Sequence, residues 1–414
     1  MTRIRGAGRQ TFRSLRTRNF RIYFVGQIIS GSGSWMQQVA QIWLVLKLTD
    51  SGIALGVTTA LQFLPVLLGG AWAGVLADRM DKRKLLIATS SAATVLATTL
   101  GLLTAFDVVE LWMVYLLAMA LGCVTALDSP ARRSFVTELV PEEHEANAVS
   151  LNSSIFTASR IVGPALAGLV IAAFGIPVCF FLNAASFLAV IGAMLLMRPA
   201  EIRPARRATR EKGQLVAGLR YVWAIPALRT TLLMTAVIGT LSFNFQVTLS
   251  LMAKKVFDGD AGTFGALYAL MSVGALVGSL VVAHREKAST RFVVWSALLF
   301  GGFMLVAAVS PTLVTMAIVL IPMGATSIAF LSSAGALSQT RADPSYRGRV
   351  AALFAVAFLG STPIGGPIVG SISQIFGARA GLVLGGVTAV VTALWGLSVL
   401  RKRAAERAAV PIAA

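Results

Sequence analysis

Twelve long apolar stretches, separated by short polar or basic connections, constrain this chain more than any other feature of its sequence. Their approximate limits are 20–46, 53–77, 85–106, 109–127, 146–174, 176–197, 231–253, 263–283, 292–310, 312–338, 350–376 and 379–400. A helix needs about 20 predominantly apolar residues to cross the hydrocarbon core of a bilayer. In lipid the backbone must satisfy its own hydrogen bonds, which only helices and closed barrels do. None of the stretches has the ten-residue alternation of a barrel strand. The sequence therefore predicts an all-α integral membrane protein of twelve transmembrane helices. Composition agrees: 56% of the 414 residues are hydrophobic and 13% charged, where a soluble domain carries about 25% charged residues and a disordered chain lacks apolar ones.

The formal net charge of +19 would point to nucleic acid in a soluble protein. Sorted by span, it reads differently. With the N-terminus in the cytoplasm, 31 of the 36 Lys and Arg fall in the N-terminal tail, the even-to-odd loops and the C-terminal tail. Lys47, Lys254, Lys255 and Arg379 face the other side, and Arg160 lies inside a span. Such an excess is the positive-inside signal. It places both termini in the cytoplasm, predicts a multi-pass protein of the cell inner membrane, and removes the case for a nucleic-acid partner. The Arg-rich start reads as a retained cytoplasmic tail, because the apolar stretch after it is too long and too polar for a signal peptide.

The chain is also written twice. Gly70 and Gly74 in the second span recur as Gly274 and Gly278 in the eighth. Gly163, Gly168 and Gly175 around the fifth recur as Gly365, Gly370 and Gly377 around the eleventh. This divides the chain into a six-helix half at 1–198 with a basic tail at 1–19, a basic linker at 199–230, a second six-helix half at 231–400 and a tail at 401–414. Leu215, Val216, Leu219, Val222 and Trp223 in the linker follow helical spacing and, with Lys212 and Arg220 nearby, predict a short amphipathic helix at the cytoplasmic interface. Repeated halves are how many secondary transporters are built, with the substrate site near the bilayer midplane.

Gly74, Asp78, Arg79, Lys82, Arg83 and Lys84 join the second and third spans. This run resembles the signature loop of the major facilitator superfamily, with Asp81 where the family often has Gly. Asp78 at a helix end is suited to accept hydrogen bonds from a neighbouring Arg and latch two helices. Gly163, Pro164 and Gly168 resemble the Gly-Pro motif of the superfamily's exporters, and Gly365, Gly366, Pro367 and Gly370 form a similar run in span 11. Proline removes a backbone hydrogen bond and permits a bend. Asn19, Phe20 and Arg21 before span 1, Gly26, Gln27 and the run Gly33, Ser34, Trp35, Met36 and Gln37 within it, Asp128, Pro130, Arg132, Arg133 and Phe135 at the end of span 4, and Arg347, Gly348, Arg349 and Val350 opening span 11 carry a further resemblance, to the drug-proton antiporter branch that holds enterobactin exporters and macrolide efflux proteins. The resemblance covers essentially the whole chain. It implies export of a small amphiphilic molecule, such as an antibiotic, drug or siderophore, by alternating access with proton coupling. An importer or a lipid or metabolite flippase on the same scaffold is the alternative.

Arg160 is the one charge deep in a span, and an intramembrane charge is by default functional. It either binds an anionic group of the substrate or hydrogen-bonds to polar faces of nearby helices. Proton coupling needs a titratable carboxylate, and Asp128 is the candidate, although a latch to Arg132 or Arg133 is the more ordinary role. Asp78, Arg79 and Arg83 are candidates for gating. Polar stripes give the candidate cavity: Gln27, Ser34, Gln38 and Gln41 in span 1, Asn152, Phe156 and Arg160 in span 5, and Asn244 with Thr240 and Thr248 in span 7. The same stripes would serve interhelical hydrogen bonding. No HExxH, GxSxG or nucleotide-binding loop occurs, and no loop could hold a catalytic domain. The expectation is a monomeric transporter, not an enzyme, with no cofactor or metal, whose partners are the bilayer, a small-molecule substrate and protons.

Overall fold

The computed structural model describes residues 12–203, 214–285, 289–344, 346–359 and 362–408. The first eleven residues of the tail, linker residues 204–213 with Lys212, and 409–414 lie outside the described residues. All regular structure among those described is helical. The long helices are α1 (Arg18–Thr49), α2 (Gly52–Arg79), α3 (Lys82–Ala105), α4 (Leu111–Glu138), α5 (Glu145–Phe174) and α6 (Ile176–Leu196). They continue with α7 (Gln214–Ala224), α8 (Pro226–Ser242), α9 (Phe245–Lys255), α10 (Ala261–Ala283) and α11 (Thr290–Ala308). The last are α12 (Leu313–Arg341), α13 (Arg347–Leu359), α14 (Thr362–Phe376) and α15 (Ala378–Ala408).

The helix ends follow local chemistry. Asp81 caps α3 by accepting from the Lys84 backbone N–H at 3.0 Å, and Ser289 caps α11 through Phe292 N–H at 3.2 Å. Thr312 and Thr315 form a reciprocal capping box at the start of α12. Gly175, with φ 85°, ends α5 in a conformation that glycine adopts at little cost.

Eleven segments among the described residues are long and apolar enough to cross a membrane. The 32-residue helix α1 falls short on composition, because Gln27, Gln37, Gln38, Gln41 and three serines interrupt its apolar residues. Span 7 is one segment in hydropathy but two helices in structure. α8 stops at Ser242, α9 starts at Phe245, and the side chain of Asn244 repairs the break by donating to the Thr240 carbonyl at 2.7 Å. The fourth span is longer than its apolar stretch. α4 runs through Pro130 to Glu138, carried on by the buried apolar side chains of Ala131, Phe135 and Val136. Residues 128–133, expected at the end of span 4 and in a loop, are therefore helical.

The helices form two compact units. The first comprises Met1–Asp50, Leu61–Thr209 and Asp260–Ala269. In it α1 packs on α5 and α6, and α3 on α4 and α6. Phe20, Tyr23, Phe135, Leu139, Val190 and Met194 form one of its buried apolar clusters. The second comprises Ser51–Ala60, Arg210–Gly259 and Leu270–Ala414. In it α11 packs on α12 and α15, and α8 on α13 and α15. The linker helix α7 belongs to this unit. Tyr221 stacks on Tyr346 at 4.1 Å between centroids, and its hydroxyl donates to Asp343 at 3.1 Å. Val222 is buried, while Leu219 and Trp223 remain exposed.

Candidate functional site

Two arginines on membrane helices organise the polar chemistry of the first unit. Arg132 lies one helical turn after Asp128, and that spacing brings side chains face to face. Its Nε donates to Asp128 Oδ2 at 2.7 Å and its Nη2 to Oδ1 at 2.9 Å, a bidentate pair. Thr89 on α3 donates to the same carboxylate at 2.8 Å, and Nη1 of Arg132 donates to Gln27 on α1. One ion pair thus ties α1, α3 and α4 together. Gln27, expected to line the cavity, is occupied by this pair.

Arg160 has different surroundings. Its guanidinium carbon lies 5.8 Å from the Trp35 ring centroid and 6.0 Å from that of Tyr268. Trp35 contacts Phe156 edge-on at 6.0 Å and Tyr268 at 5.9 Å, and Phe264 meets Tyr268 at 6.0 Å. Among the described residues Arg160 forms no ion pair or hydrogen bond, and its Nε is buried without a partner. Of the two roles read from the sequence, hydrogen bonding to polar helix faces is therefore not what the geometry shows. Arg160 is half-buried and both rings stand near the outer reach of a cation–π contact, about 6 Å, so they offset only part of the cost of an arginine in a membrane helix, roughly 3 kcal/mol. Its N–H groups have no acceptor among the described residues.

The sequence places these rings by omitting side chains. A Cβ on Gly163 would lie 2.8 Å from the Ser32 carbonyl oxygen and closer still to Trp35, so only glycine lets α1 approach α5 here. A Cβ on Gly168 would lie 2.7 Å from Gly262 Cα, and one on Gly265 would strike the Pro164 carbonyl. The Gly-Pro run of α5 is thus a seat for α1 on one side and for the first turns of α10 on the other. Asp260 opens α10 by accepting from the Thr263 backbone N–H at 2.8 Å and from its hydroxyl at 3.0 Å. Those bonds hold its carboxyl below the usual aspartate range. Trp35 and Tyr268 reach Arg160 from these two neighbours.

The other sequence candidates are distributed as follows. Ser34 and Phe156 are exposed, Gln38 and Asn152 half-buried, and Gln41 buried. Asn183, which the stripes did not include, donates to Gln37 at 2.7 Å in a buried contact. In the second unit Asn244 is committed to Thr240. Gly365 sits against the Thr240 carbonyl and the Asn244 amide, and a Cβ on Gly366 would lie 2.9 Å from the Gly56 carbonyl. These glycines and Pro367 form a seat like that of α5. Asp78 is exposed and makes no hydrogen bond among the described residues, so it is not the latch expected of it. Arg79 lines an apolar groove between α2 and α4 of about 720 Å³, with Pro65, Trp72 and Cys123. The latching is done beside it: Lys82 pairs with Glu138, and Arg83 Nε donates to the Met194 carbonyl at 2.8 Å.

Trp35, Phe264 and Tyr268 are not among the expected site residues: Trp35 figures only as part of the family-like run in span 1, and Phe264 and Tyr268 lie on no polar stripe of the kind that singles out Phe156. The nearest hint is the pair Gly262 and Gly265, within the two turns before Tyr268. Comparison with known proteins decides the family: the model described as a transmembrane secretion effector, of the major facilitator superfamily, matches residues 9–412. The chain belongs to this family. It is 26% identical to the staphyloferrin A transporter of Staphylococcus aureus over 63% of this chain and 66% of that protein. It is 26% identical to the multidrug efflux pump Tap of Mycolicibacterium fortuitum over 85% and 88%. The chain thus spans just under two thirds of the staphyloferrin A relative and most of the Tap pump. The fold matches a bacterial homologue of the lysosomal transporter Spinster with a TM-score of 0.75 at 14% identity, over 93% of this chain and 97% of that one. The match and the eleven apolar segments make the protein a multi-pass membrane protein of the major facilitator superfamily, and these matched relatives are named as transporters.

Proposed function

We propose that this transporter exports small amphiphilic organic molecules, antibiotic-, drug- or siderophore-like, by alternating access. In this reading α1 joins the eleven strongly apolar segments as a twelfth span. The two sequence repeats form six-helix halves, and both termini lie in the cytoplasm at the cell inner membrane. The observation that carries the reading is the Arg160 site, in which an intramembrane cation among aromatic rings lies one turn from exposed Phe156 and two turns from half-buried Asn152 on α5. A mixed polar and aromatic lining suits an amphiphilic ligand. Relatives named as a staphyloferrin A transporter and a multidrug efflux pump support the direction. Proton coupling is assigned to Asp128, a carboxylate within a membrane helix, whose pairing with Arg132 opens when it takes up a proton.

The test is transport in inverted membrane vesicles with an imposed proton gradient, across a panel of antibiotics and siderophores. Gradient-dependent accumulation of at least one compound, lost in Arg160→Gln, is expected. Accumulation that ignores the gradient would remove proton coupling. Movement only in the opposite direction would make the protein an importer.

A further inference from the structure

The Arg160 site has a shape that narrows its ligand further. Guanidinium is planar, and its five N–H groups point outward in that plane. Trp35 and Tyr268 meet it through their rings, and its Nε is buried without a hydrogen-bond partner among the described residues. Arg132, on a neighbouring helix of the same unit, shows what a satisfied edge looks like: a carboxylate bound through two oxygens. At Arg160 no protein carboxylate occupies that place among the described residues. One turn before it on α5, the Phe156 ring is 62% exposed and half-buried Asn152 follows a turn further on. The cation therefore sits at the end of a strip that offers an aromatic face and then an amide.

We propose that this strip is a recognition subsite for organic carboxylates carrying a flat aromatic body. The carboxylate takes the free edge of Arg160, completing the pairing that Asp128 provides for Arg132. The aromatic body lies against Phe156. The proposal rests on the export reading only in placing the site on a transport route, since binding can be measured without transport. Charge and planarity both matter: a planar carboxylate matches two adjacent N–H groups. An amide of the same shape offers one acceptor, and an ammonium is repelled.

The experiment is equilibrium binding of three matched probes to the purified full-length protein in lipid nanodiscs. The probes are 2-naphthoate, 2-naphthamide and 2-naphthylmethylammonium. The carboxylate is expected to bind at least about tenfold more tightly than the amide, with the ammonium weakest. Arg160→Gln is expected to bring the carboxylate down to the amide, and Arg160→Lys to keep part of the preference. Phe156→Ala is expected to weaken carboxylate and amide by a similar factor. Equal binding of carboxylate and amide to the wild type, a preference that survives Arg160→Gln, or no binding of any probe would each overturn the proposal. If Arg160→Gln does not elute as folded protein, Arg160→Lys and Phe156→Ala decide it by the same criteria. Carboxylate-selective binding together with failed vesicle export would instead sink the export reading and leave the subsite standing.

Discussion

Arg132 and Arg160 lie on adjacent membrane helices of one unit, and the protein treats them in opposite ways. Arg132 has a bidentate carboxylate and a glutamine, with a threonine steadying that carboxylate. Arg160 has ring faces and no polar partner among the described residues. The first is an ion pair closed on itself that fastens three helices. The second is a charge stabilised enough to remain in the membrane but not neutralised. A paired charge in a membrane protein fastens helices for as long as the pair is kept; one with its hydrogen-bonding edge open is free to take a ligand.

The sharpest way to break this contrast is to strand Arg132. Asp128→Asn should lower stability by about 3 kcal/mol, near the low end for breaking a buried pair, because the two side chains keep 20% and 17% of their surface exposed. Thermal unfolding of the purified protein reads this, and an unchanged midpoint would mean that the pair fastens nothing. Next in size is Gly163→Val. Its added side chain has no room against Ser32 and Trp35, so about 2 kcal/mol of overpacking is expected, with loss of probe binding at Arg160. Retained binding would show that the seat does not position Trp35.

Arg160→Met should then do the reverse of Asp128→Asn. Removing an unpaired intramembrane cation should leave the unfolding midpoint unchanged or raise stability by about 1 kcal/mol, while abolishing transport. A midpoint that falls as far as that of Asp128→Asn would make Arg160 structural as well. The smallest effect concerns the cap of the helix that carries Tyr268. The Asp260 carboxyl is held below the usual range, so its contribution to stability is present above the unfolded aspartate pKa of about 3.9. It is lost as pH falls through the lower folded value. Wild type should therefore exceed Asp260→Asn slightly in thermal stability at neutral pH. The two should converge below about pH 4. A difference that persists into acid would point to packing and not to the carboxylate.

Much of this could be read from the sequence, in proportion to how far each signal is local. The apolar segments were legible because hydropathy is a property of consecutive residues. Arg160 was legible because it is the one basic residue that topology does not sort. The latch from Asp128 to Arg132 was legible as an ordinary role, but the two were placed at a helix end and in a loop. That hid their one-turn spacing and the pull on Gln27, which was read as cavity lining. Trp35 and Tyr268 were not legible as a pair. They come from helices far apart in the chain, and only the glycine seats on α5 bring them together. The break in span 7 was hidden too, since Asn244 repairs it with a side-chain bond that hydropathy does not record.

The composition of the first unit has a consequence for how the protein is made. Residues 260–269 belong to it, although they are translated after the whole basic linker and after α8 and α9. A ribosome that has delivered the first six long helices into the membrane has not yet supplied Tyr268, and Arg160 is already in place with one of its two aromatic neighbours missing. The site is finished only when the growing chain comes back to it, so a fragment ending at the linker would carry the arginine without its enclosure.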